Sequence, residues 1–246
     1  MLSKAKLSYI RSLEEKKNRQ KEGLFVVEGE KMLLELSQSA WECDQVYLTS
    51  SFLIKHPHQF SFYEPIDEGH LKKISFLKTS SAGLAIVKLP PQKKLFIDNS
   101  EFYVVLDGIR DPGNLGTIIR TLDWFGIRDL ICSQDTVDFT NPKVIQSSMG
   151  SVFRVNLHYL DLPSFLADYS GKIPIFAADI SGENAFKTEL SSGILIIGNE
   201  ADGVRSETKR WVDKWIHIPK AGSRAESLNA SIATAILCAE RFRQIQ

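Results

Sequence analysis

The five residues Phe102-Tyr103-Val104-Val105-Leu106 are apolar without a break, the pattern of a strand covered on both faces of a parallel sheet. Shorter runs of the same kind predict strands at 129–131, 173–177, 194–197 and 215–218. The stretches between them repeat apolar residues at three- and four-residue steps, and one predicts a helix over 115–125. In the last helix, from about residue 227 onward, Leu228, Ile232, Ala235, Ala239 and Phe242 are expected to form the buried stripe. Strands alternating with helices predict an α/β domain with helices on both faces of a parallel sheet.

The chain before residue 95 has a different texture. Its first twenty residues mix charged positions with Leu2, Tyr9, Ile10 and Leu13, which predicts one amphipathic, mostly exposed helix. Strands are expected at 25–28, 45–48 and 83–88, with a helix at 31–36 after the first. Leu89-Pro90-Pro91-Gln92-Lys93-Lys94 ends regular structure and reads as a linker. The predicted organisation is therefore a small α/β domain over 1–95 and a larger one over 96–246, with no internal repeat.

Charge narrows the picture less than it first promises. Thirty Lys and Arg balance thirty Asp and Glu, which excludes a generally basic nucleic-acid binder but not a local basic face. One such excess lies at the start, where Lys4, Lys6, Arg11, Lys16, Lys17, Arg19 and Lys21 outnumber Glu14, Glu15 and Glu22. It reads either as a solvated helix face or as a basic arm. Further candidates are Lys93, Lys94, Arg110, Arg120, Lys220 and Arg224. No apolar run approaches the ~18 residues of a membrane helix, and 1–20 lacks the apolar core of a secretory signal. Cys43, Cys132 and Cys238 are odd in number and far apart, which points to a reducing cytoplasm. The five histidines form no metal-ligand spacing, so no metal centre is expected. His56 and His58 flank Pro57 in a polar loop and are expected to be exposed.

Ligands of open α/β sheets bind beyond the carboxyl ends of the strands, and three such ends carry the chemistry here. The first runs from Asp107 through Gly108, Pro112, Gly113, Asn114 and Gly116 into a helix carrying Arg120. Asn114 is placed to cap that helix. Arg120 suits a phosphate or carboxylate, because its planar fork donates two parallel hydrogen bonds. The second is Gly198-Asn199-Glu200-Ala201-Asp202-Gly203 after a buried strand, a turn whose exposed backbone groups could read an adenine or ribose edge. The third is Ile218-Pro219-Lys220-Ala221-Gly222 followed by Ser227-Leu228-Asn229-Ala230-Ser231. Ser227 could cap the last helix, while Asn229 and Ser231 are polar side chains in its first turns that need partners. Neither a dinucleotide fingerprint nor a P-loop is present.

Together, Asn114, Gly116, Arg120 and Thr121, then Gly198, Asn199, Glu200 and Gly203, then Ile218, Pro219, Gly222, Ser227, Leu228, Asn229 and Ser231 resemble the three ordered motifs of SpoU-type (TrmH-like) RNA ribose 2′-O-methyltransferases of the SPOUT superfamily. Ser148-Met149-Gly150-Ser151-Val152-Phe153 resembles the segment that family carries between its first two motifs. The likeness spans roughly 100–246. More weakly, 1–95 resembles the small L30e-like substrate-binding domain of many members, best at Phe25-Val26-Val27-Glu28-Gly29.

The resemblance implies a sheet whose C-terminal part forms a trefoil knot holding S-adenosyl-L-methionine, something no pattern of residues suggests. It also implies a homodimer packed through the catalytic domain and an RNA substrate, tRNA or rRNA. Carried over by position, it implies cofactor contacts at Ala178, Gly198, Asn199, Gly203, Ile218 and Leu228. Asn114, Arg120, Glu200, Ser227 and Asn229 fall at the positions of catalysis and active-site architecture. Two departures, Lys220 where Met is common and Gln146 where Arg is common, bear on which RNA is used. The competing expectations are a catalytically silent RNA-binding module on the same fold and a nucleotide-binding enzyme with an ordinary open sheet.

Overall fold

The computed structural model describes residues 2–79, 82–199, 201–222, 224 and 226–246. The chain divides into two compact units, one of Met1–Pro91 with Asp138–Arg154, the other of Gln92–Val137 with Val155–Gln246.

The first unit is built on strands β1 (Leu24–Glu28), β2 (Cys43–Leu48), β3 (Glu64–Pro65) and β4 (Gly83–Lys88), in the order β1-β4-β2-β3. Both β1 and β2 run antiparallel to β4. Helices α1 (Lys4–Ser12), α2 (Lys16–Glu22), α3 (Glu30–Ser37), α4 (Ser50–Lys55) and α5 (Glu68–Ile74) surround the sheet. The single helix expected over the first twenty residues is in fact two. Asn18 Nδ2 donates to the Ser12 carbonyl at 2.8 Å, and Arg19 Nη1 donates to the Leu13 and Glu14 carbonyls. Side chains thus satisfy the carbonyls that a continuous helix would have used. The segment is mostly exposed, as expected, but its apolar side is not: Ile10 and Leu13 are fully buried with Val26, Tyr47, Leu71, Ile74, Leu84 and Ile86.

Arg19 is also removed from the candidate basic face. It is buried, and it donates through Nε to Thr140 Oγ1 at 2.9 Å and through Nη2 to Asp138 Oδ2 at 2.9 Å. These partners belong to the segment Asp138–Arg154, which contains α7 (Pro142–Ser148). Phe139 meets Phe25 and Trp41 edge-on, Phe153 meets Trp41 with ring centroids 5.0 Å apart, and Arg154 Nη1 lies 2.6 Å from Glu35. The expected boundary near residue 95 assigned this segment to the second half of the chain; in the fold it packs within the first unit, and Gln146 is half-buried there. His56 is half-buried as well, 2.8 Å from Glu30, rather than free in solvent.

The second unit is a six-stranded, wholly parallel sheet of β5 (Phe102–Asp107), β6 (Asp129–Ser133), β7 (Asn156–Leu160), β8 (Ile175–Asn184), β9 (Gly193–Gly198) and β10 (Lys214–His217), in the order β10-β8-β9-β5-β6-β7. Every residue of the central strand β5 is buried, as its unbroken apolar run requires. The edge strand β7 escaped the sequence reading because it is only half-buried and carries Asn156 and His158, the latter 2.8 Å from Asp129. Helices α6 (Pro112–Trp124), α8 (Leu162–Tyr169), α9 (Ser206–Lys209) and α10 (Ala230–Gln244) complete the unit, and residues 89–98 form neither helix nor strand. No described helix is long and apolar enough to cross a membrane.

The stripe expected to bury α10 proves to be largely its outward side. Leu228 is 49% exposed, Ile232 48% and Phe242 37%, whereas Ala230, Ser231, Thr234, Leu237 and Cys238 face inward. Small and hydroxyl-bearing residues on the inner face let this helix lie close to α6. Thr234 Oγ1 satisfies itself on the Ala230 carbonyl at 2.7 Å.

Candidate functional site

The site is set by strand register. Six consecutive pairs join β5 to β9, from Phe102 opposite Gly193 to Asp107 opposite Gly198, so both strands end at one level. Next to β9, Ala177 of β8 sits opposite Ile196, which places Ala178 just past that pairing. Between β10 and β8 the register breaks: Trp215 pairs with Ala177, but Ile216 pairs with Glu183. Residues 178–182 are thus left out of the ladder beside the strand end, and Ile218 follows β10 directly, half-buried.

At the end of β5 the chain turns through Gly108, whose φ of +79° favours glycine. Helix α6 begins at Pro112, earlier than expected, because Asp111 and not Asn114 is its cap: Asp111 Oδ1 accepts the Asn114 N–H at 2.8 Å. The Asn114 side chain instead faces the last helix, its Oδ1 accepting from Asn229 Nδ2 at 2.9 Å. Asn229 in turn is the cap of α10, its Oδ1 accepting the Ser231 N–H and Oγ–H at 2.9 and 2.6 Å. The capping role considered for Ser227 therefore falls to Asn229, and Ser227 lies exposed two residues before it. Asn114 and Asn229 are thus brought together, and α6 packs along α10.

Arg120 sits two turns into α6 on its exposed side, and no group among the described residues bonds or pairs with its guanidinium. In contrast to Arg19, it is a cation held available at the site. Trp124 lies one turn further along the same side and is 84% exposed.

The turn after β9 is tight. Asn199 and Gly203 exchange backbone hydrogen bonds of 3.0 and 2.9 Å, and a Cβ at Gly198 would lie 2.2 Å from the Gly203 carbonyl carbon. Glycine is required there by close approach. Asn199 spends its side chain internally, Nδ2 donating to the Gly108 carbonyl at 2.7 Å and Oδ1 accepting the Ala201 N–H at 2.8 Å. What Asn199 can offer a ligand is consequently backbone. Glu200 lies outside the described residues. Leu228 is exposed just before the α10 cap. Among the described residues, no group of three or more His, Cys, Asp or Glu side chains could hold a metal ion.

Sequence reasoning missed Asp107 and Arg205. Asp107 is fully buried, and Arg205 Nε lies 2.6 Å from its Oδ1. A carboxylate closing an apolar strand was the available signal, since buried charges need partners.

With this geometry in view, comparison with known proteins is decisive. Residues 101–239, more than half of the chain, match the model of the SpoU rRNA Methylase family. The chain belongs to that family. Residues 4–85 match the model of the MRM3-like substrate binding domain. The 23S rRNA (guanosine(2553)-2′-O)-methyltransferase RlmP of Bacillus subtilis is 26% identical over 231 residues, covering 92% of each chain. A solved protein of Porphyromonas gingivalis, described as an RNA methyltransferase of the TrmH family, is 33% identical and superposes with a TM-score of 0.87 over 99% of each chain. An AdoMet-bound rRNA methyltransferase of Sinorhizobium meliloti is 26% identical, with a TM-score of 0.87 over 100% of this chain and 98% of that one.

Proposed function

We propose that the protein transfers a methyl group from S-adenosyl-L-methionine to a ribose 2′-hydroxyl in structured RNA, with ribosomal RNA the first candidate. The observation that carries this reading is the convergence of the three motif loops, the first and third joined by the Asn229–Asn114 hydrogen bond and the first and second by Asn199 Nδ2 on the Gly108 carbonyl, with Arg120 exposed on α6 and without a partner among the described residues. The family membership and the relatives named above support it.

The residues present suit the cofactor. A Cβ at Gly203 would meet nothing within 4 Å, so a ligand can approach the turn's backbone there, and Gly198, Asn199 and Gly203 would hold it together with Ala178, Ile218 and Leu228. When bound, S-adenosyl-L-methionine supplies a methyl group on a sulfonium, an electrophile that needs no further activation. The protein's work is then to place the hydroxyl and ease removal of its proton. A free guanidinium, with pKa above ~12, is a poor base. Arg120 is therefore assigned to orient the target phosphate and polarise the hydroxyl. Ser227 and Asn229 are assigned to hold the nucleotide, Asn114 to hold Asn229 through their hydrogen bond, and Glu200 to fix the turn.

A homodimer is part of the proposal. Its support is the outward apolar side of α6 and α10, where Trp124, Ile232 and Phe242 lie exposed, the kind of surface that marks an interaction site when contiguous. The trefoil knot is carried with the family assignment. A cytoplasmic setting is supported by three free cysteines, two of them buried.

The test is transfer of labelled methyl from S-adenosyl-L-methionine to total RNA of cells lacking the protein, with the modified ribose mapped, beside calorimetry of cofactor binding. Transfer to a discrete 2′-hydroxyl is expected. Absence of cofactor binding would leave only an RNA-binding module on this fold.

A further inference from the structure

The end of β5 carries a charged brace to which the roles above give no task. Asp107 Oδ2 accepts the Arg205 backbone N–H at 2.9 Å, and Oδ1 accepts from Arg205 Nε at 2.6 Å and from Nη2. Arg205 Nη1 extends to Asp135 at 3.2 Å. Asp135 Oδ1 accepts the Ser133 hydroxyl at 2.7 Å, and Ser133 Oγ accepts the Gly108 N–H at 2.9 Å. One network thus joins the end of β5, the end of β6 and the residue that follows Gly203 and Val204. Burial opposes the charge on Arg205, but hydrogen bonding and attraction from Asp107, then attraction from Asp135, outweigh it and raise its pKa.

The placement is specific. Gly198, where the 198–203 turn begins, is the register partner of Asp107. Arg205, just beyond the turn, is gripped by the Asp107 side chain. Both ends of the turn are therefore fastened to one residue. Stability alone does not explain such a device, since a buried ion pair is commonly replaceable by packed apolar residues without loss. Precision does, because small misplacements in a site are expensive in rate. The guanidinium fork also suits the task, reaching Asp107 and Asp135 together as an ammonium cannot.

We propose that Asp107 and Arg205 are positioning residues for the cofactor turn, setting the affinity for S-adenosyl-L-methionine by fixing 198–203 against the loop that bears Asn114. The proposal rests on the methyltransferase reading above.

The experiment measures S-adenosyl-L-methionine binding by calorimetry and thermal unfolding on the full chain, for wild type, Arg205→Lys, Asp107→Asn and the double variant Asp107→Asn with Arg205→Gln. Arg205→Lys is expected to weaken cofactor binding about 10-fold while unfolding near the wild-type temperature, because one charge contact survives and the fork is lost. Asp107→Asn is expected to lose both stability and affinity. The double variant, which leaves no buried charge orphaned and only the half-exposed Asp135 without its cation, is expected to regain stability while staying about 10-fold weaker in binding. Wild-type affinity in Arg205→Lys, or recovery of affinity together with stability in the double variant, would overturn the proposal while leaving the methyltransferase reading intact. A wild-type protein that binds no S-adenosyl-L-methionine would overturn both.

Discussion

Asn229 Nδ2 donates to Asn114 Oδ1 across 2.9 Å, between residues 115 positions apart in the chain. The two asparagines differ in what else they hold. Asn229 also caps α10 through Oδ1, whereas the cap of α6 is Asp111, so the Asn114 side chain carries no helix end. Asn229→Ala should therefore forfeit a cap worth about 1 kcal/mol, lowering the unfolding temperature by about 2–4 °C in a chain of this size, and slow methyl transfer as well. Asn114→Ala should slow transfer with a smaller loss of stability. Wild-type turnover in Asn114→Ala would remove the pair from the proposed site.

Arg120 separates binding from chemistry. With no partner among the described residues, its loss breaks no internal bond, so Arg120→Ala should unfold like the wild type and bind S-adenosyl-L-methionine within about twofold. Methyl transfer should fall by at least about 100-fold, as expected when a group aligning the reacting atoms is lost. Arg120→Lys should recover little, since an ammonium lacks the fork that orients a phosphate. Equal turnover in the alanine variant would end the role assigned to Arg120.

The outward side of α6 and α10 predicts the assembly. Trp124 is 84% exposed and Ile232 48%, and Phe125 of α6's end meets Phe242 of α10 at a tilt, with ring centroids 5.7 Å apart. Trp124→Glu combined with Ile232→Asp should convert the dimer to monomer in light scattering, since a charge at the centre of an apolar interface is left unpaired. A wild-type protein already monomeric at micromolar concentration would dismiss the dimer.

The parallel sheet and the three motif loops were legible in the chain because their signals are local. Buried strands are apolar throughout, and glycine and asparagine cluster where β5 and β9 end. What was not legible depends on partners far away in sequence. Leu228, Ile232 and Phe242 repeat at helical spacing, yet periodicity does not say whether the apolar side of α10 meets its own unit or another surface. Arg19 looked like surface charge because its acceptors, Asp138 and Thr140, are about 120 residues distant. Asn114 looked like a cap because Asp111, three residues earlier, could not be ranked above it from the sequence.

Arg19 gives a prediction for the first unit. Buried and hydrogen-bonded to Thr140, Asp138 and two backbone carbonyls, it holds the 138–154 segment in that unit. Arg19→Met should destabilise by about 3–5 kcal/mol, because Asp138 keeps its charge without its cation. Adding Asp138→Asn should recover part of that loss in urea titrations. An Arg19→Met protein as stable as the wild type would mean that the ion pair does not hold the segment.

Glu28 supplies a pH dependence. The residue is 6% exposed; its Oε2 accepts the Ser75 hydroxyl at 2.6 Å and its Oε1 the Phe76 N–H at 2.8 Å. Burial raises its pKa above the ordinary value, with the bonds from Ser75 and Phe76 and the charge of Arg11 opposing that rise. Between the ordinary value and the raised one, the folded protein binds more protons than the unfolded chain. The stabilisation from this group is accordingly complete below the ordinary carboxyl pKa and is lost as pH rises through the folded value. Glu28→Gln keeps the shape and removes the titration. The unfolding free energy of the wild type relative to Glu28→Gln should therefore decline from about pH 4 toward neutrality and then level off. Urea titrations across that range check it: a difference independent of pH, or one that grows toward neutrality, would show that burial does not govern this carboxyl.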